Sequence, residues 1–521
     1  MPIHSKTILR TTQMTTGVLA FFVLSSARIS LNVARAQTPA NGAAIEESEL
    51  RAHVAVLASD SLEGREAGSR GGRAAAAYIL KELRSLNNVR PGGLDGDWFQ
   101  EFQNGYRNIL AIVPGTHPER KNEFLLVGAH YDHVGYGQAG NSFGPIGQIH
   151  NGADDNASGT GALLEIAEAL AVRPPERSVL LAFWDAEEKG LQGSKYWIAH
   201  PTISQPIRFV FNTDMVGRLQ SSGMDVLGTR TAAGLRQLVS EQNSRQKSQR
   251  IRLLFDWDVA ADSDHAPFYE RSIPFLGFFT KKHNDYHRPT DDAHLLNYSG
   301  YTAVTRLLLR CVNELGNAPS LPKFRPDCRR ESDAGQAALL ARRGNTVPRL
   351  DMRYQLDTAR HVAVVAGVTV NGLAWNHGLH AGDRILRVNG RTLDQHEFGQ
   401  LVRESSGSLQ LVVRPTGSDN TKTIRILIPG GPTKCGLICA ENSGEPSVAV
   451  VAAAVPDSPA ARIGFRRGDR IHSVEGSRFR SLQEFRAQLK KREQADRVVM
   501  HVERFGIIRR VTIQQFPDSG Q

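Results

Sequence analysis

The stretch "NEFLLVGAHYD" (122–132) contains an apolar run that ends in a histidine and an aspartate. Short apolar runs bounded by polar residues are typical of buried strands. Three later stretches have the same form, namely "RSVLLAFWDAEE" (177–188), "IRFVFNTDMV" (207–216) and "IPFLGFFT" (273–280). Strands that are buried on both faces are almost continuously apolar, so these four stretches predict a largely parallel sheet.

Helical patterns alternate with these strands. The stretches "RGGRAAAAYILKELRSL" (70–86) and "TGALLEIAEALA" (160–171) have a helical period, and Ser158 is a candidate N-cap of the second helix. The alternation predicts an α/β domain, with a mixed sheet that is parallel at its centre and helices on both faces. In such sheets ligands bind at the carboxyl ends of the strands, where the acidic residues of this sequence lie.

The composition is that of a globular protein. The 521 residues are 40% hydrophobic and 22% charged, and the formal net charge is +10. A basic chain can bind nucleic acid, but the Lys and Arg residues form no stripe interleaved with aromatic residues. We therefore expect a basic soluble surface and no nucleic-acid partner.

The N-terminal region has the organisation of an export signal. A basic segment precedes the apolar run "GVLAFFVLSSA" (17–27), and Ala34-Arg35-Ala36 forms a cleavage site. Cleavage after Ala27 is the competing site, and an uncleaved anchor is the alternative. The run is too short to span a bilayer comfortably, so we expect a periplasmic or secreted protein whose mature chain has no transmembrane span.

The cysteine count leaves the disulfide pattern open. The four cysteines are Cys311, Cys328, Cys435 and Cys439. An oxidising compartment would permit a bridge between Cys311 and Cys328, but spacing alone assigns no pairing.

The C-terminal third contains an internal repeat after a linker. The stretch "GNAPSLPKFRPDCRR" (316–330) has three prolines and interrupts the helix–strand pattern. Beyond it, "HAGDRILRVNG" (380–390) matches "RRGDRIHSVEG" (466–476) in Gly-Asp-Arg-Ile and in the closing glycine. We expect a signal peptide over 1–36, the α/β domain over 37–318, a linker over 319–346, and two small β-rich modules over 347–430 and 431–517.

Histidines and carboxylates recur at the predicted strand ends and loops. Such mixed nitrogen and oxygen donors suit zinc, and cobalt or manganese less well. Three ligand carboxylates and a hydroxide would balance the charge of two divalent ions better than that of one. The motifs, in order, are "GAHYDHVG" (128–135), "NGADDNASG" (151–159), "WDAEEKGLQGS" (184–194), "FNTDMVGR" (211–218), "ADSDHAPF" (261–268) and "NDYHRPTDD" (284–292).

In this order the motifs resemble those of the bacterial dizinc aminopeptidase family that includes leucyl aminopeptidases. Glutaminyl cyclases and glutamate carboxypeptidase II are relatives of that family. The resemblance covers about 45–315 and includes "LASDSLEGREAGSRGGRAAAAYI" (57–79). It implies two Zn²⁺ per chain. By this resemblance, Asp154 would bridge the two ions. Glu188 and His287 would complete one metal site, and His130 and Asp214 the other. Glu187 would be the general base, and Asp132 would support His130.

The resemblance also assigns roles beside the metals. Asp155 would turn away and brace the loop, and the peptide bond between Asp154 and Asp155 would be cis. Asp264 and His265 would lie near the pocket.

The implied activity is the removal of N-terminal residues from peptides with a free N-terminus by a zinc metallopeptidase. A carboxypeptidase would use the same metal centre with other pocket residues. A glutaminyl cyclase-like acyltransferase would need only one zinc, so the complete ligand set favours hydrolysis. A peptide-binding scaffold with a vestigial hydrolase is an alternative of another class.

The two repeats resemble PDZ domains of bacterial periplasmic proteases. The resemblance implies that they bind C-terminal peptides by adding a strand to a sheet edge. Gly382 and Gly468 would adopt the conformation of a tight turn. The candidate carboxylate loops lie near "RLDM" (349–352) and "CGLI" (435–438), which makes Leu437 and Ile438 candidate peptide contacts, whereas the first loop lacks the expected glycine.

Overall fold

A computed structural model describes residues 45–246, 249–338, 350–393, 398–405, 408–427, 435–454, 458–492 and 495–514. The expected export signal over 1–36, with both cleavage sites, lies outside these residues. Residues Ala43–Gln521 form one compact unit.

A nine-stranded mixed sheet organises the first half of the chain. Its order is β1-β3-β5-β4-β6-β9-β7-β8, with β2 paired to β3. The pairs β5–β4, β4–β6 and β6–β9 are parallel, whereas β3 and β7 pair antiparallel with this centre. The strands are β1 Arg90–Pro91, β2 Phe99–Glu101, β3 Arg107–Val113, β4 Phe124–His130, β5 Ser178–Trp184, β6 Ile207–Thr213, β7 Met224–Leu227, β8 Leu253–Leu254 and β9 Phe275–Phe279.

Helices cover both faces of this sheet, as the sequence predicts. Along β4, Leu125 and Val127 pack in one core with α1, α2, α3, α5 and α7, while Phe124 and Leu126 pack in the other with Trp197 of α4. Both strand faces are therefore buried, which is why the strand sequences are continuously apolar. The helices are α1 Glu47–Leu57, α2 Arg70–Arg84, α3 Gly159–Val172, α4 Gln192–Ala199, α5 Leu235–Arg245, α6 Ala266–Glu270 and α7 Tyr298–Asn317.

Each C-terminal repeat forms its own six-stranded antiparallel sheet. Gly382 and Gly468 have φ of +91° and +89°, which confirms the predicted turn conformation. The first module contains β10 Met352–Asp357, β11 Val362–Val368, α8 Leu373–Asn376, β12 Arg384–Val388, β13 Arg391–Thr392, α9 Phe398–Glu404, β14 Ser408–Arg414 and β15 Lys422–Leu427. The second contains β16 Leu437–Ala440, β17 Ala449–Ala454, α10 Pro459–Arg462, β18 Arg470–Val474, β19 Ser477–Arg478, α11 Leu482–Lys490, β20 Arg497–Arg504 and β21 Ile507–Gln514.

Two further features bear on the sequence expectations. Cys311 and Cys328 are free buried thiols, so the permitted bridge does not form in this structure. Among the described residues, no helix has the length and apolar character needed to cross a membrane.

Candidate functional site

The ends of three neighbouring parallel strands bring the predicted donors together. His130 is the last residue of β4 and pairs in register with Trp184, the last residue of β5. Glu187 and Glu188 follow β5, and Asp214 follows β6 on the other side of β4. Adjacent parallel strands end at the same edge of a sheet, so residues far apart in sequence meet there.

The first donor cluster consists of His130, Asp155 and Asp214. The Nε2 atom of His130 lies 3.4 Å from Asp155 Oδ1 and 3.5 Å from Asp214 Oδ1. Ser263 donates its hydroxyl to Asp214 Oδ2 at 2.7 Å, which fixes that carboxylate from the opposite side.

The second donor cluster consists of His133, Asp155, Glu188 and His287. The Nε2 atom of His287 lies 3.1 Å from both Asp155 Oδ2 and Glu188 Oε1. His133 Nδ1 lies 3.0 Å from the same oxygen of Glu188. His133 belongs to the motif at 128–135 but had no role in the sequence interpretation, because nothing local distinguishes it from an ordinary core histidine.

Asp155, and not Asp154, belongs to both clusters. Its Oδ1 faces His130 and its Oδ2 faces His287, so one carboxylate spans the two donor sets. The structure contradicts the expected placement of the two side chains, because Asp155, and not Asp154, faces both donor sets. The cis peptide bond lies between Asp155 and Asn156, one position later than expected.

Asp154 instead holds the loop beneath the clusters. Its Oδ1 accepts hydrogen bonds from the Gly217 amide at 2.7 Å and from the Ser158 hydroxyl at 3.1 Å. Ser158 occupies the predicted N-cap position of α3, but it has helical φ and ψ and its side chain makes no capping bond. The side chain of Asn156 accepts from the Gly159 amide in its place.

Asp291 explains why Asp155 points toward the histidines. Its Oδ2 accepts hydrogen bonds from the backbone amides of both Asp154 and Asp155, at 2.9 and 3.1 Å. Arg218 contacts the other oxygen at 3.0 Å. This ion pair joins the buried Asp291 to the partly buried Arg218 and orients the turn, and no local sequence pattern identifies it.

Backbone contacts orient the histidine rings. His287 Nδ1 lies 2.7 Å from the Asn141 carbonyl, so this nitrogen carries the proton and leaves Nε2 facing the carboxylates. His130 Nδ1 lies 3.2 Å from the carbonyl of Asp132 and 3.7 Å from its carboxylate. The carboxylate of Asp132 also accepts the amides of Glu187 and Glu188, at 3.0 and 3.3 Å. Asp132 thus supports both His130 and the Glu-Glu turn.

Imidazoles and carboxylates in the clusters shift each other's pKa. Burial acts to lower the pKa of His287, but Asp155 and Glu188 raise it to about 10. Burial and the Asp155 charge act to raise the pKa of Glu188, but hydrogen bonds from His133 and His287 bring it to about 2. His287 therefore pairs as an imidazolium with the carboxylates of Asp155 and Glu188.

Glu187 lies beside the clusters without belonging to either. Burial raises its pKa well above the ordinary value, against the opposing effect of His130. It lines a cleft over both clusters. The cleft is walled further by Asn212, Met215, Leu227, Asp262, Ser263, His265, Gly277, Phe278, Phe279, Lys282 and Tyr286.

The two residues expected near the pocket differ in their placement. His265 lines the cleft, stacks on Phe275 with ring centroids 4.5 Å apart, and has Nε2 2.7 Å from the Ala260 carbonyl. Asp264 is buried behind it, and burial raises the pKa of its carboxyl to about 7.

Arg65, from the "EGR" segment, braces the two loops that carry the donors. Its buried guanidinium donates to the carbonyls of Tyr131, Asn151 and Gly152, and also to that of Leu57. Gly64 lies beside it with φ of +66°, and a Cβ there would meet the Gly135 and His150 carbonyl oxygens at 2.5 Å. The Glu-Gly-Arg segment therefore holds the loops that carry the donor residues in place.

The donor sets fit zinc. One offers an imidazole and two carboxylates, and the other offers two imidazoles and two carboxylates, which are zinc ligands. Within each set the donor atoms all lie within 4.8 Å of one another, close enough to share one ion.

Comparison with known proteins agrees with this geometry. The profile of peptidase family M28 matches residues 108–312, and PDZ domain profiles match 346–414 and 450–504. A probable leucine aminopeptidase of Arthroderma otae is 24% identical over 269 residues, which are 47% of this chain and 67% of that protein. An aminopeptidase of Pseudomonas aeruginosa is 31% identical over 180 residues, 32% of this chain and 30% of that protein.

Among solved structures, the zinc aminopeptidase BSAP from Bacillus subtilis is 16% identical, with a TM-score of 0.42 over 54% of this chain and 97% of that one. The chain covers 67% of the length of the Arthroderma otae relative and 30% of the length of the Pseudomonas aeruginosa relative.

The mixed α/β sheet, the two adjoining histidine–carboxylate clusters at its strand ends and the profile match together indicate a metallopeptidase domain. Residues 108–312 belong to peptidase family M28, and two PDZ domains follow them.

Proposed function

We propose that this chain is an exported aminopeptidase that holds two zinc ions and removes N-terminal residues from peptides. The observation that carries the proposal is the position of Asp155 between two donor sets, with Glu187 free beside them. A single carboxylate shared by two clusters fits a two-metal site, which a one-zinc acyltransferase would not require.

The chain's own residues would have the following roles. His130 and Asp214 would hold one ion, Glu188 and His287 the other, with His133 as a further donor, and Asp155 would contact both. When bound, zinc supplies a Lewis acid that lowers the pKa of water toward about 7. Glu187 would accept the proton of the attacking water and pass it to the departing amine, a task for which its raised pKa is suited.

The relatives support action at the N-terminus of a peptide, because both curated relatives described above are named as aminopeptidases.

The test is Glu187→Gln, with exposed Glu270→Gln as the matched control. We expect wild type and the control to contain two zinc ions per chain and to hydrolyse aminoacyl anilides. Glu187→Gln should keep both ions and lose about 10²- to 10⁴-fold in kcat. Release of C-terminal residues, or cyclisation of N-terminal glutamine without hydrolysis, would overturn the proposal.

We propose that the second PDZ domain has the better-suited carboxylate loop. Gly436 has φ of +83°, and its counterpart in the first domain is Asp351, with φ of +51°. The Asp351 side chain accepts a hydrogen bond from the Leu373 amide at 3.1 Å. A carboxylate there would repel a peptide's C-terminal carboxylate, so Leu437 and Ile438 remain the proposed contacts. Titration with C-terminal peptides and their amides tests this, because only the free acids should bind.

The export proposal is tested by N-terminal sequencing of the native protein after cell fractionation. A mature N-terminus after Ala36 or Ala27 would support it.

A further inference from the structure

The second PDZ domain docks on the peptidase domain through direct backbone contacts. The Leu253 amide donates to the Phe505 carbonyl at 2.9 Å, and the Gly234 amide donates to the Gly444 carbonyl at 3.0 Å. A Cβ on Gly444 would lie 2.3 Å from Arg230 Nη1, so a side chain at this position would displace the guanidinium. These contacts join the second PDZ domain to the peptidase domain within one compact unit.

Buried charges cross the same interface. Arg236 of α5 makes two hydrogen bonds, each 3.1 Å, to the carboxylate of Glu503 in β20. Glu445 pairs with Arg470 at 2.6 Å, and its other oxygen lies 4.0 Å from Arg230. Buried charges must be paired, so separating the two domains would leave these groups exposed or unpaired at a substantial cost.

Arg230 is the residue where three parts of the chain meet. It is 3% exposed and makes two hydrogen bonds of 2.7 Å to Glu331, which follows the peptidase domain. Its Nη1 donates to Asn442 of the second PDZ domain at 2.5 Å. Its guanidinium lies 3.8 Å from the ring centroid of Trp257. Arg230 therefore connects the PDZ domain to the segment that contains Trp257.

That segment leads to the substrate cleft. Residues 255–262 form neither helix nor strand, and the Trp257 amide is held by Asp333 at 2.8 Å. Asp262, the last residue of the segment, and Ser263, the residue after it, line the cleft, and Ser263 donates to the proposed zinc ligand Asp214. An irregular segment takes its position from what it packs against, and here one such support is Arg230.

We propose that docking of the second PDZ domain positions the wall of the substrate cleft, and that Arg230 is the positioning residue that connects the two through Trp257. The expected effect on KM rests on the proposed aminopeptidase function, whereas the expected effect on the position of segment 255–262 is independent of that function. The domain would thus set substrate affinity from outside the active site.

The experiment uses the full-length zinc-loaded protein with Arg230→Ala, Arg230→Lys and Asn442→Ala. The matched control is Arg478→Ala, because Arg478 pairs with Glu241 across the same interface at 3.1 Å but is exposed, whereas Arg230 is buried. Hydrogen exchange and steady-state kinetics are measured on each variant, together with zinc content.

We expect Arg230→Ala to raise amide exchange in 255–262 about tenfold or more, while β20 and β21 stay protected and zinc content is unchanged. KM for aminoacyl anilides should rise about tenfold, while kcat stays within about twofold of wild type. Asn442→Ala should raise the amide exchange of 255–262 and KM in the same direction. Arg230→Lys, which keeps the charge but loses the paired hydrogen bonds, should be intermediate and covers the case in which the alanine variant does not fold.

Exchange and KM values in Arg230→Ala or Arg230→Lys equal to those of Arg478→Ala would overturn the proposal. If wild type hydrolyses no aminoacyl substrate, the proposed function fails, yet the exchange measurement still decides whether the PDZ domain positions the segment.

Discussion

His133 Nδ1 lies 3.0 Å from Glu188 Oε1, and the imidazole is completely buried. The second donor cluster therefore holds two histidines, His133 and His287, around one glutamate. Whether His133 binds metal or orients Glu188, its removal would weaken the same site.

Replacing His133 by Asn should lower zinc affinity of the second site about 10- to 100-fold, because ligands and the groups that orient them contribute on this scale. Zinc content after dialysis against graded chelator concentrations measures the change. His294→Asn, at an exposed position, is the control. Equal zinc retention in the two variants would remove His133 from the metal centre.

The two aspartates at 154 and 155 should respond differently to the same change. Asp155→Asn should reduce binding of both ions, because its two oxygens face both clusters. Asp154→Asn should keep both ions and change the free energy of unfolding by no more than about 1 kcal/mol, since the amide oxygen of asparagine can still accept the hydrogen bond of the Gly217 amide. Metal analysis and urea unfolding separate the two effects. Loss of both ions in Asp154→Asn but not in Asp155→Asn would show that Asp154 is the bridging residue.

Metal affinity should rise with pH from about 6 toward 10. The pKa of His287 is raised to about 10 in the metal-free protein, so a metal must displace its proton. The carboxylates that raise this pKa also stabilise the metal-free fold. This stabilisation is complete below pH 6.5, the ordinary pKa of histidine, and it disappears as the pH rises through about 10. Calorimetric titration of zinc in buffers of different ionisation enthalpy should show proton release, and a pH-independent affinity would contradict this account.

Acid should destabilise the domain interface through Glu445. Burial acts to raise the pKa of Glu445, but Arg470 and Arg236 bring it to about 2, below the ordinary 4.5. A lowered pKa gives stability that is present above 4.5 and is lost as pH falls through about 2. Urea midpoints at pH 7, 4.5 and 3 should fall more steeply with acid in wild type than in Glu445→Gln. Parallel curves would show that the pair contributes no pH dependence.

Arg65→Met should destabilise the peptidase domain by about 3 kcal/mol or more, because four buried carbonyls lose their donor. Urea unfolding measures this change. Exposed Arg73→Met should stay within about 0.5 kcal/mol of wild type. A loss of the same small size in Arg65→Met would show that water replaces the guanidinium.

Local pattern determined much of the fold. The apolar stretch at 122–132 predicts β4 because a strand buried on both faces needs nearly continuous apolar side chains, and the structure places it at Phe124–His130. The repeated Gly-Asp-Arg-Ile predicts equivalent turns, because a positive φ suits glycine, and Gly382 and Gly468 both have one. The donor types for zinc were likewise readable, since each follows a predicted strand or loop.

Tertiary structure alone decided how the neighbours divide their roles. Asp154 and Asp155 are chemically identical, and only Asp291 and Gly217, distant in sequence, determine which side chain faces the histidines. The role of His133 depends in the same way on Glu188. The docking of the second PDZ domain rests on pairs such as Arg236 and Glu503, 267 residues apart, and a pairing over that distance leaves no local pattern in the chain.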